Sequence, residues 1–240
     1  MFFLIFSLLL CRDVSAEYTK EFYNDIVDNN GRDYLVKITE SLKEHLQSQT
    51  VEVTADFGKV SETLGGKLKS ARIEMKNGHF NLLKIEHALF VMYNPVIDVD
   101  KLWNQNDLIL KKCEQIDFLI EIREQDLNEF LTTREGKLHV ERPTVKLTDN
   151  EIQLKGYGEV LKVKVKFMIN GKFELADRKK INFIPWKVKF NSIPLPKMMI
   201  SKLVSRINPV LDLNDFPFDL QLEQIISKPE KLIFKNGDPK

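Results

Sequence analysis

The chain has 240 residues, of which 43% are hydrophobic and 30% charged, so it carries enough apolar material for a packed core and is not a disordered chain. Its formal net charge of +1 excludes a strong global attraction to a nucleic-acid backbone, and we expect no nucleic-acid partner. This length suits one large domain or two small ones, and we predict a single domain, residues 17–240, behind an N-terminal leader.

The N-terminus has the pattern of a secretory signal peptide. An apolar run from Phe2 to Cys11 precedes Val14-Ser15-Ala16, whose small residues are typical of a cleavage site. The run is shorter than the about 20 residues that cross a bilayer, and no Lys or Arg precedes it. We predict that residues 1–16 are removed and that the mature chain is secreted to the periplasm or cell envelope. A buried core segment and lipidation at Cys11 are the alternatives.

The first part of the mature chain is predicted to be helical, over residues 18–49. Apolar residues recur at helical spacing on both sides of Asn29-Asn30-Gly31, which should break the helix once. From Val51 the pattern changes to short extended runs separated by Gly65-Gly66 and Asn77-Gly78. Strands joined by turns are therefore predicted to follow.

A short helix near residues 125–134 is predicted to interrupt the strands. Leu127, Phe130 and Leu131 share one helical face there, and Gly136 follows where a left-handed cap would end the helix. Beyond it, strand patterns resume in the style of an antiparallel meander.

A second late helix is predicted near residues 196–208. Pro194 and Pro196 open it, and Asn208-Pro209 closes it. Together these elements predict an α+β fold in which a highly twisted antiparallel sheet wraps around one or two amphipathic helices.

The sequence shows no motif for catalysis, a metal or a cofactor. Its four histidines lie in unrelated segments without metal-ligand spacing, and Cys113 has no cysteine partner in a C-x-x-C motif. We therefore predict a protein that is not an enzyme and uses no cofactor, and we interpret Cys113 as a small buried apolar residue. A hydrolase or transferase of envelope lipid or glycan stays open as an alternative, because the geometry of a site is invisible in sequence.

Several motifs of the second half occur in a specific order. They are, in chain order, Asp126-Leu127-Asn128, Ile193-Pro194-Leu195-Pro196, Asn208-Pro209, Asp212-Leu213 and Phe216-Pro217. With Gly66-Lys67-Leu68 upstream, this order resembles the LmeA-like family of bacterial cell-envelope phospholipid-binding proteins. The resemblance implies a tubular lipid-binding-like fold and a lipid-binding role, and it names no site residue.

If the sheet encloses its apolar face around a helix, the lumen can hold an acyl chain. Strand alternation and the apolar stripe of the late helix then supply the residues that would line it. The candidate lipid-lining residues are Val163, Val165, Phe167, Trp186, Val188, Phe190, Met198, Met199, Leu203 and Ile207. Taken singly, each of them is more often a residue of an ordinary packed core, and only the resemblance at the level of the fold favours a lumen.

Lysines alternate with the apolar residues of the same two segments and should occupy the opposite face of the sheet. The candidate membrane-facing residues are Lys162, Lys164, Lys166, Lys187 and Lys189. Such lysines attract anionic headgroups, and a solvated or edge-protecting face is the alternative.

Together these observations favour non-enzymatic binding or shuttling of a phospholipid or other acyl lipid in the bacterial cell envelope, with peripheral contact to an anionic membrane. The alternative is a structural or assembly factor of the envelope, AsmA-like, that carries no lipid.

Overall fold

The computed structural model describes residues 20–29, 31–80, 82–133, 140–160, 163–191, 193–194, 208–215 and 218–239. The fold groups into two compact units. Unit 1 comprises Met1–Met75 and Phe90–Ile116, and unit 2 comprises Lys76–Leu89 and Asp117–Lys240. The predicted signal peptide lies outside the described residues, and the folding of residues 17–240 as one domain stays a prediction.

Unit 1 combines helices with short strands. Residues 20–28 are helical. The further elements are α1 (Arg32–Leu46), β1 (Thr50–Phe57), α2 (Val60–Leu64), the first part of β2 (Leu68–Phe80), the last part of β3 (Leu83–Tyr93), β4 (Val96–Ile97), α3 (Val99–Gln105) and β5 (Leu110–Lys112). β1 pairs with β2, and β4 pairs with β5.

The helical region of unit 1 is interrupted between residue 28 and Arg32, where the sequence predicts the break. Gly31 has a φ of 71°, and a Cβ there would meet the ring of Phe57, so glycine suits both the turn and the packing. The buried carboxylate of Asp25 accepts hydrogen bonds from the N–H groups of Asp33 and Tyr34, both at 3.0 Å. The start of α1 is thereby satisfied from the preceding helix.

Cys113 lies in unit 1 and is half-buried, whereas the sequence suggests a buried apolar residue. Its thiol donates to the carbonyl oxygens of Tyr93 and Gln115, at 3.4 Å and 3.1 Å. Burial raises the pKa of the thiol, which disfavours the reactive thiolate at neutral pH.

Unit 2 contains most of the strands. Its elements are the end of β2, the start of β3, β6 (Gln115–Arg123), α4 (Glu124–Thr133), β7 (Val140–Thr148), β8 (Glu151–Val160), β9 (Val163–Leu175), β10 (Lys180–Phe190), β11 (Ile193–Pro194), β12 (Leu211–Asp212), a 3-10 turn (Leu213–Asp215), β13 (Gln224–Lys228) and β14 (Lys231–Asn236). One sheet has the order β11-β10-β9-β8-β7, and β12 also pairs with β10. The remaining strands follow the order β2-β3-β6-β14-β13.

The predicted fold class is confirmed: the protein is α+β, with a curved antiparallel sheet. Successive hairpins in β7–β10 and β13–β14 pair in antiparallel register. Register shifts in β7, between Glu141 and Thr144, and in β10, between Pro185 and Lys187, are the kind of bulge that bends a strand.

The predicted helices of the second half have different outcomes. The helix predicted near residues 125–134 is α4, Glu124–Thr133, and its predicted cap at Gly136 lies outside the described residues. The helix predicted near residues 196–208 also lies outside them, except for Asn208. Among the described helices, none is long and apolar enough to cross a membrane.

Candidate functional site

The inner face of the β7–β10 sheet forms one wall of an apolar cavity in unit 2. Alternation with period two turns one set of side chains inward, and antiparallel register aligns that set across neighbouring strands. Val145 of β7 is paired with Leu154 of β8, and Phe173 of β9 with Phe183 of β10. The Phe173 and Phe183 rings meet edge to face with centroids 5.8 Å apart. The wall is completed by Ile152 and Ile181.

The second wall comes from the other strands of unit 2. Ile122 of β6 is the register partner of Leu232 of β14, and Phe234 follows two residues later on the same face. Phe80, at the end of β2, and Leu83, at the start of β3, continue this wall. Both walls therefore present aliphatic and aromatic side chains to the same space.

Helix α4 covers the cavity from the side of β7. Its stripe of Leu127, Phe130 and Leu131 lines the cavity, and all three side chains are half-buried. The predicted apolar stripe of this helix is thus the part of it that faces the cavity.

Two polar side chains of α4 attach the helix to the exposed edge of β7. The amide of Asn128 donates to the carbonyl of Val145 at 3.0 Å, and its oxygen accepts the N–H of Val145 at 2.7 Å. The carboxylate of Glu124 accepts the N–H of Leu147 at 2.6 Å and pairs with Lys146 at 3.1 Å. These bonds replace the missing neighbour of an edge strand and fix the position of α4.

The first turn of α4 is held by a buried carboxylate. Asp126 has no exposed side-chain surface and accepts two hydrogen bonds from Arg123, at 2.7 Å and 3.2 Å. Lys84 lies 3.6 Å from the same carboxylate. The hydrogen bond to Asp126 raises the pKa of the Arg123 guanidinium, which therefore stays charged and keeps the buried carboxylate paired.

A second asparagine protects the opposite edge of the sheet. Asn208 accepts the N–H of Phe183 at 2.8 Å and donates to its carbonyl at 3.1 Å. The chain then runs along β10, where the N–H of Val210 donates to the carbonyl of Ile181 at 2.8 Å. This places Pro209, Val210 and Leu211 in the lining of the cavity.

The cavity is partly open to solvent and has a volume of about 280 Å³. Seventeen of the eighteen described residues that line it are apolar. The exception is Asp212, whose Oδ1 accepts hydrogen bonds from the N–H and the side-chain amide of Asn214. Such a lining favours an apolar ligand, because the ligand gains free energy when its apolar surface leaves water. Among the described lining residues, the carboxylate of Asp212 is the only charged group.

The comparison with protein families gives the ligand class. The family model described as LmeA-like phospholipid-binding matches residues 36–235, which include every described residue that lines the cavity. This chain belongs to the LmeA-like phospholipid-binding family. The resemblance seen in the order of the sequence motifs is thereby confirmed. No curated protein and no solved structure matches the chain.

The motifs that carry the LmeA-like resemblance lie around the cavity. Asp126 holds the first turn of α4, Leu127 lines the cavity and Asn128 attaches the helix to β7. Asn208 pairs with the opposite edge, and the residue after it, Pro209, is part of the lining. The short motifs thus contain the residues that assemble the site.

Four of the predicted lipid-lining residues of β9 and β10 lie on the inner face of the sheet, but they are away from the cavity. Phe167 and Val188 are buried, Val165 and Phe190 are half-buried, and the Phe167 and Phe190 rings lie 6.1 Å apart. They share the face of Phe173 and Phe183, further along the strands, and none of them lines the cavity. Contact between these residues and lipid stays a prediction.

The other predicted lining residues are placed differently. Trp186 is 53% exposed and does not line the cavity. It is the extra residue of the β10 bulge, because Pro185 pairs with Gly171 and Lys187 with the adjacent Asn170. The side chain of Val163 and the residues Met198, Met199, Leu203 and Ile207 lie outside the described part of the chain.

The predicted basic face is exposed where it is described. Lys164, Lys166 and Lys187 are exposed and Lys189 is half-buried, while Lys162 lies outside the described residues. Lys164 pairs with Glu141, and its ammonium lies 5.3 Å from the ring centroid of Tyr157. A role of these lysines at a membrane stays a prediction.

Sequence reasoning missed most of the lining residues of the cavity. The second wall comes from strands that are far apart in sequence, and no local pattern indicates that they meet. Its residues are Phe80, Leu83, Ile122, Leu232 and Phe234. A usable signal was present for Leu127, whose neighbours in Asp126-Leu127-Asn128 were recognised as a motif. The apolar stripe of this helix could have been assigned to the site on that basis.

Proposed function

We propose that this LmeA-like protein binds phospholipid by taking part of one acyl chain into the cavity of unit 2. The observation that carries the proposal is the lining, apolar at seventeen of the eighteen described positions, in a chain of a phospholipid-binding family. An acyl chain gains free energy simply by leaving water for such a surface, and no specific hydrogen bond is required.

The size of the cavity limits what it takes up. A volume of 280 Å³ is close to the lower end of ligand pockets, which start at about 300 Å³. It accommodates roughly ten methylene groups if each needs about the 30 Å³ of a water molecule. At about 0.8 kcal/mol for each buried methylene, the gross gain is about 8 kcal/mol, from which the cost of ordering the complex is subtracted. We infer that a segment of a single chain is bound.

The phosphate headgroup stays outside this cavity in the proposed complex. Burial of a charged phosphate among apolar side chains costs far more than the chain gains, unless cations accompany it. The one charged residue of the described lining, Asp212, has the same sign as the phosphate. The protein therefore selects the acyl part and leaves the headgroup exposed.

We further propose that this binding is non-enzymatic and serves to hold or shuttle lipid in the bacterial cell envelope. The envelope location is supported by the signal-peptide pattern of residues 1–16. The shuttling role is supported by the apolar cavity of unit 2, which would shield part of an acyl chain from water. Transfer also needs peripheral contact with a membrane.

The test uses a variant that fills the cavity and a matched surface variant. Leu154 lies on β8 in the wall of the cavity, so Leu154→Trp should occupy the space of the acyl chain. Leu82 is 61% exposed and lies outside the lining, so Leu82→Trp makes the same chemical change at the surface of the same unit. Each protein is incubated with vesicles that contain radiolabelled phosphatidylglycerol and is then separated by gel filtration.

We expect Leu154→Trp to retain at least about tenfold less lipid, which corresponds to about 1.4 kcal/mol of lost binding, and Leu82→Trp to retain as much as the wild type. Circular dichroism and thermal melting verify that both variants are folded. Equal retention by Leu154→Trp and wild type would disprove binding in this cavity. An absence of retained lipid in the wild type as well would favour the structural or assembly role.

A further inference from the structure

The outer face of the β8–β10 sheet exposes an aromatic side chain among lysines. We define the docking face as Ile184, Trp186, Lys187 and Lys189 of β10, with Lys166 of β9 and Lys155 of β8. It belongs entirely to unit 2 and lies on the side of the sheet opposite to the inner face that lines the cavity.

The bulge in β10 turns Trp186 towards solvent. Because Trp186 has no register partner on β9, both it and Lys187 are exposed, and the alternation of buried residues resumes with Val188. Ile184, on the same strand, is 37% exposed. The outer face of β10 therefore exposes an aromatic and an aliphatic side chain, and the tryptophan combines an apolar ring with a polar N–H.

Register places the lysines together on this face. Lys155 and Lys189 are both opposite Met168, on its two sides, and Lys187 is opposite Asn170. Lys166 is two residues before Met168 on the same strand, so it projects from the same face. The four lysines therefore project from one face, with Lys166 on the central strand and the other three on the two strands beside it.

These four lysines lack acidic partners in the described part of the chain. Lys164 and Lys172, on the same face, pair with Glu141 and Glu174. By contrast, no carboxylate of the described residues lies within ion-pair distance of Lys155, Lys166, Lys187 or Lys189. The nearby carboxylate of Glu151 accepts a hydrogen bond from Asn170. Four lysines against this one carboxylate leave the described part of the face with a net positive charge.

We propose that this docking face binds the surface of an anionic lipid bilayer. Tryptophan prefers the boundary between headgroups and acyl chains, and lysines reach anionic headgroups while their methylene stems cover apolar surface. Trp186 would lie at headgroup level with the lysines around it. The proposal rests on the proposed lipid binding for its purpose, since a carrier must reach a membrane to exchange its lipid, and it adds the residues that make the contact.

The protein provides its own reporter for the test. It has two tryptophans, and Trp103 is half-buried against Phe22 in unit 1. In a Trp103→Phe protein, all tryptophan fluorescence comes from Trp186. We expect a blue shift of the emission on addition of vesicles that contain phosphatidylglycerol, quenching when the acyl chains are brominated, and no change with pure phosphatidylcholine.

The lysines are tested in pairs of equal charge change. Each lysine near an anionic surface strengthens binding about fivefold, so Lys166→Gln with Lys187→Gln should weaken vesicle binding about 30-fold. The control pair is Lys43→Gln with Lys112→Gln, two exposed lysines of unit 1, which should leave binding within about twofold. Vesicle flotation measures both pairs.

Unchanged emission of Trp186 with anionic vesicles would overturn the proposal, as would equal binding by the two lysine pairs. A protein that instead binds both vesicle types equally well would also overturn it. Retention of radiolabelled lipid is measured in parallel to separate the two proposals. Vesicle docking without lipid uptake would contradict the proposed function alone, and uptake without dependence on the docking face would contradict this inference alone.

Discussion

At the scale of single residues, two asparagines have the same role at opposite edges of one sheet. Each uses its amide as a substitute for a neighbouring strand, since a side-chain amide offers both an acceptor and a donor. Asn128 pairs with Val145 and Asn208 pairs with Phe183, and both of these partners line the cavity. Next to the cavity, each asparagine therefore satisfies backbone hydrogen-bonding groups that have no partner strand at that point of the edge.

Replacement of Asn128 should destabilise the protein. Asn128→Ala removes both hydrogen bonds to Val145, and at about 1 kcal/mol for each bond we expect a loss of about 2 kcal/mol in the free energy of unfolding. Asn104→Ala, at an exposed position of α3, should stay within about 0.5 kcal/mol of wild type. Urea denaturation measures both, and equal stability of the two variants would contradict the role of the amide.

Asp98 should give α3 a pH-dependent stability. Its carboxylate accepts the N–H of Lys101 at 3.2 Å and pairs with Lys111 at 3.0 Å, and these contacts lower its pKa, the backbone bond most. A lowered pKa in the folded state contributes stability above the unfolded value of about 3.9, and this stability is lost as the pH falls through the folded value.

Asp98→Ala should therefore cost about 1 kcal/mol at neutral pH, as the loss of a helix cap does, and progressively less below about pH 4. Urea denaturation of wild type and variant across this range gives the difference. A difference that is constant with pH would show that the charge of Asp98 has no part in capping.

The alternation of apolar residues in β10 predicts a buried Trp186, whereas its side chain is exposed. Continuous alternation from Trp186 to Phe190 predicts that Trp186 faces inward with Val188, and a single extra residue in β10 reverses this for Trp186 alone. Pro185 was the available signal, because proline within a strand is confined to edges and bulges.

At the scale of elements, α4 shows what a local pattern can and cannot predict. Its existence follows from helical spacing, and the stripe of Leu127, Phe130 and Leu131 is correct. The attachment of α4 to β7 could not be predicted from a local pattern. The contact of Glu124 bridges 23 residues of sequence and that of Asn128 bridges 17. The short helix α3 was missed although Asp98 caps it and Asn106 ends it in the left-handed conformation.

Side chains that border the cavity should tolerate truncation better than those packed on all sides. Leu147 of β7 is completely buried and does not line the cavity, so Leu147→Ala should cost about 2–5 kcal/mol. Leu127 already has free space on one side, so we expect Leu127→Ala to cost clearly less. Urea denaturation without lipid compares them, and an equal or larger loss for Leu127→Ala would mean that α4 packs against a filled core.

At the scale of the whole molecule, the fold class was predictable and the arrangement of strands was not. Alternation with period two identifies strands wherever it occurs, which sufficed for an α+β fold with an antiparallel sheet. The pairing of β6 with β14 joins segments about a hundred residues apart, as the Glu121–Lys231 ion pair shows with a separation of 110. Only tertiary packing decides such a pairing.

The same limit applies to the site. Apart from Trp186, alternation assigned the described residues of β9 and β10 to the faces on which they lie. It could not indicate at which point along those strands the cavity lies, since that depends on where the second wall and α4 meet the sheet. The motifs of the LmeA-like resemblance include two residues that support the cavity, Asn128 and Asn208, although the resemblance assigned no site role to either of them.

The proposed function requires that the cavity of unit 2 holds an acyl chain of a phospholipid. Native mass spectrometry of the full chain, expressed in bacteria and purified without detergent, tests it most directly, with Leu154→Trp measured beside it. We expect a wild-type peak heavier than the polypeptide by the mass of one phospholipid, identified after extraction, and no such peak for Leu154→Trp. A lipid-free wild type that also takes up no phosphatidylglycerol from vesicles would contradict the account.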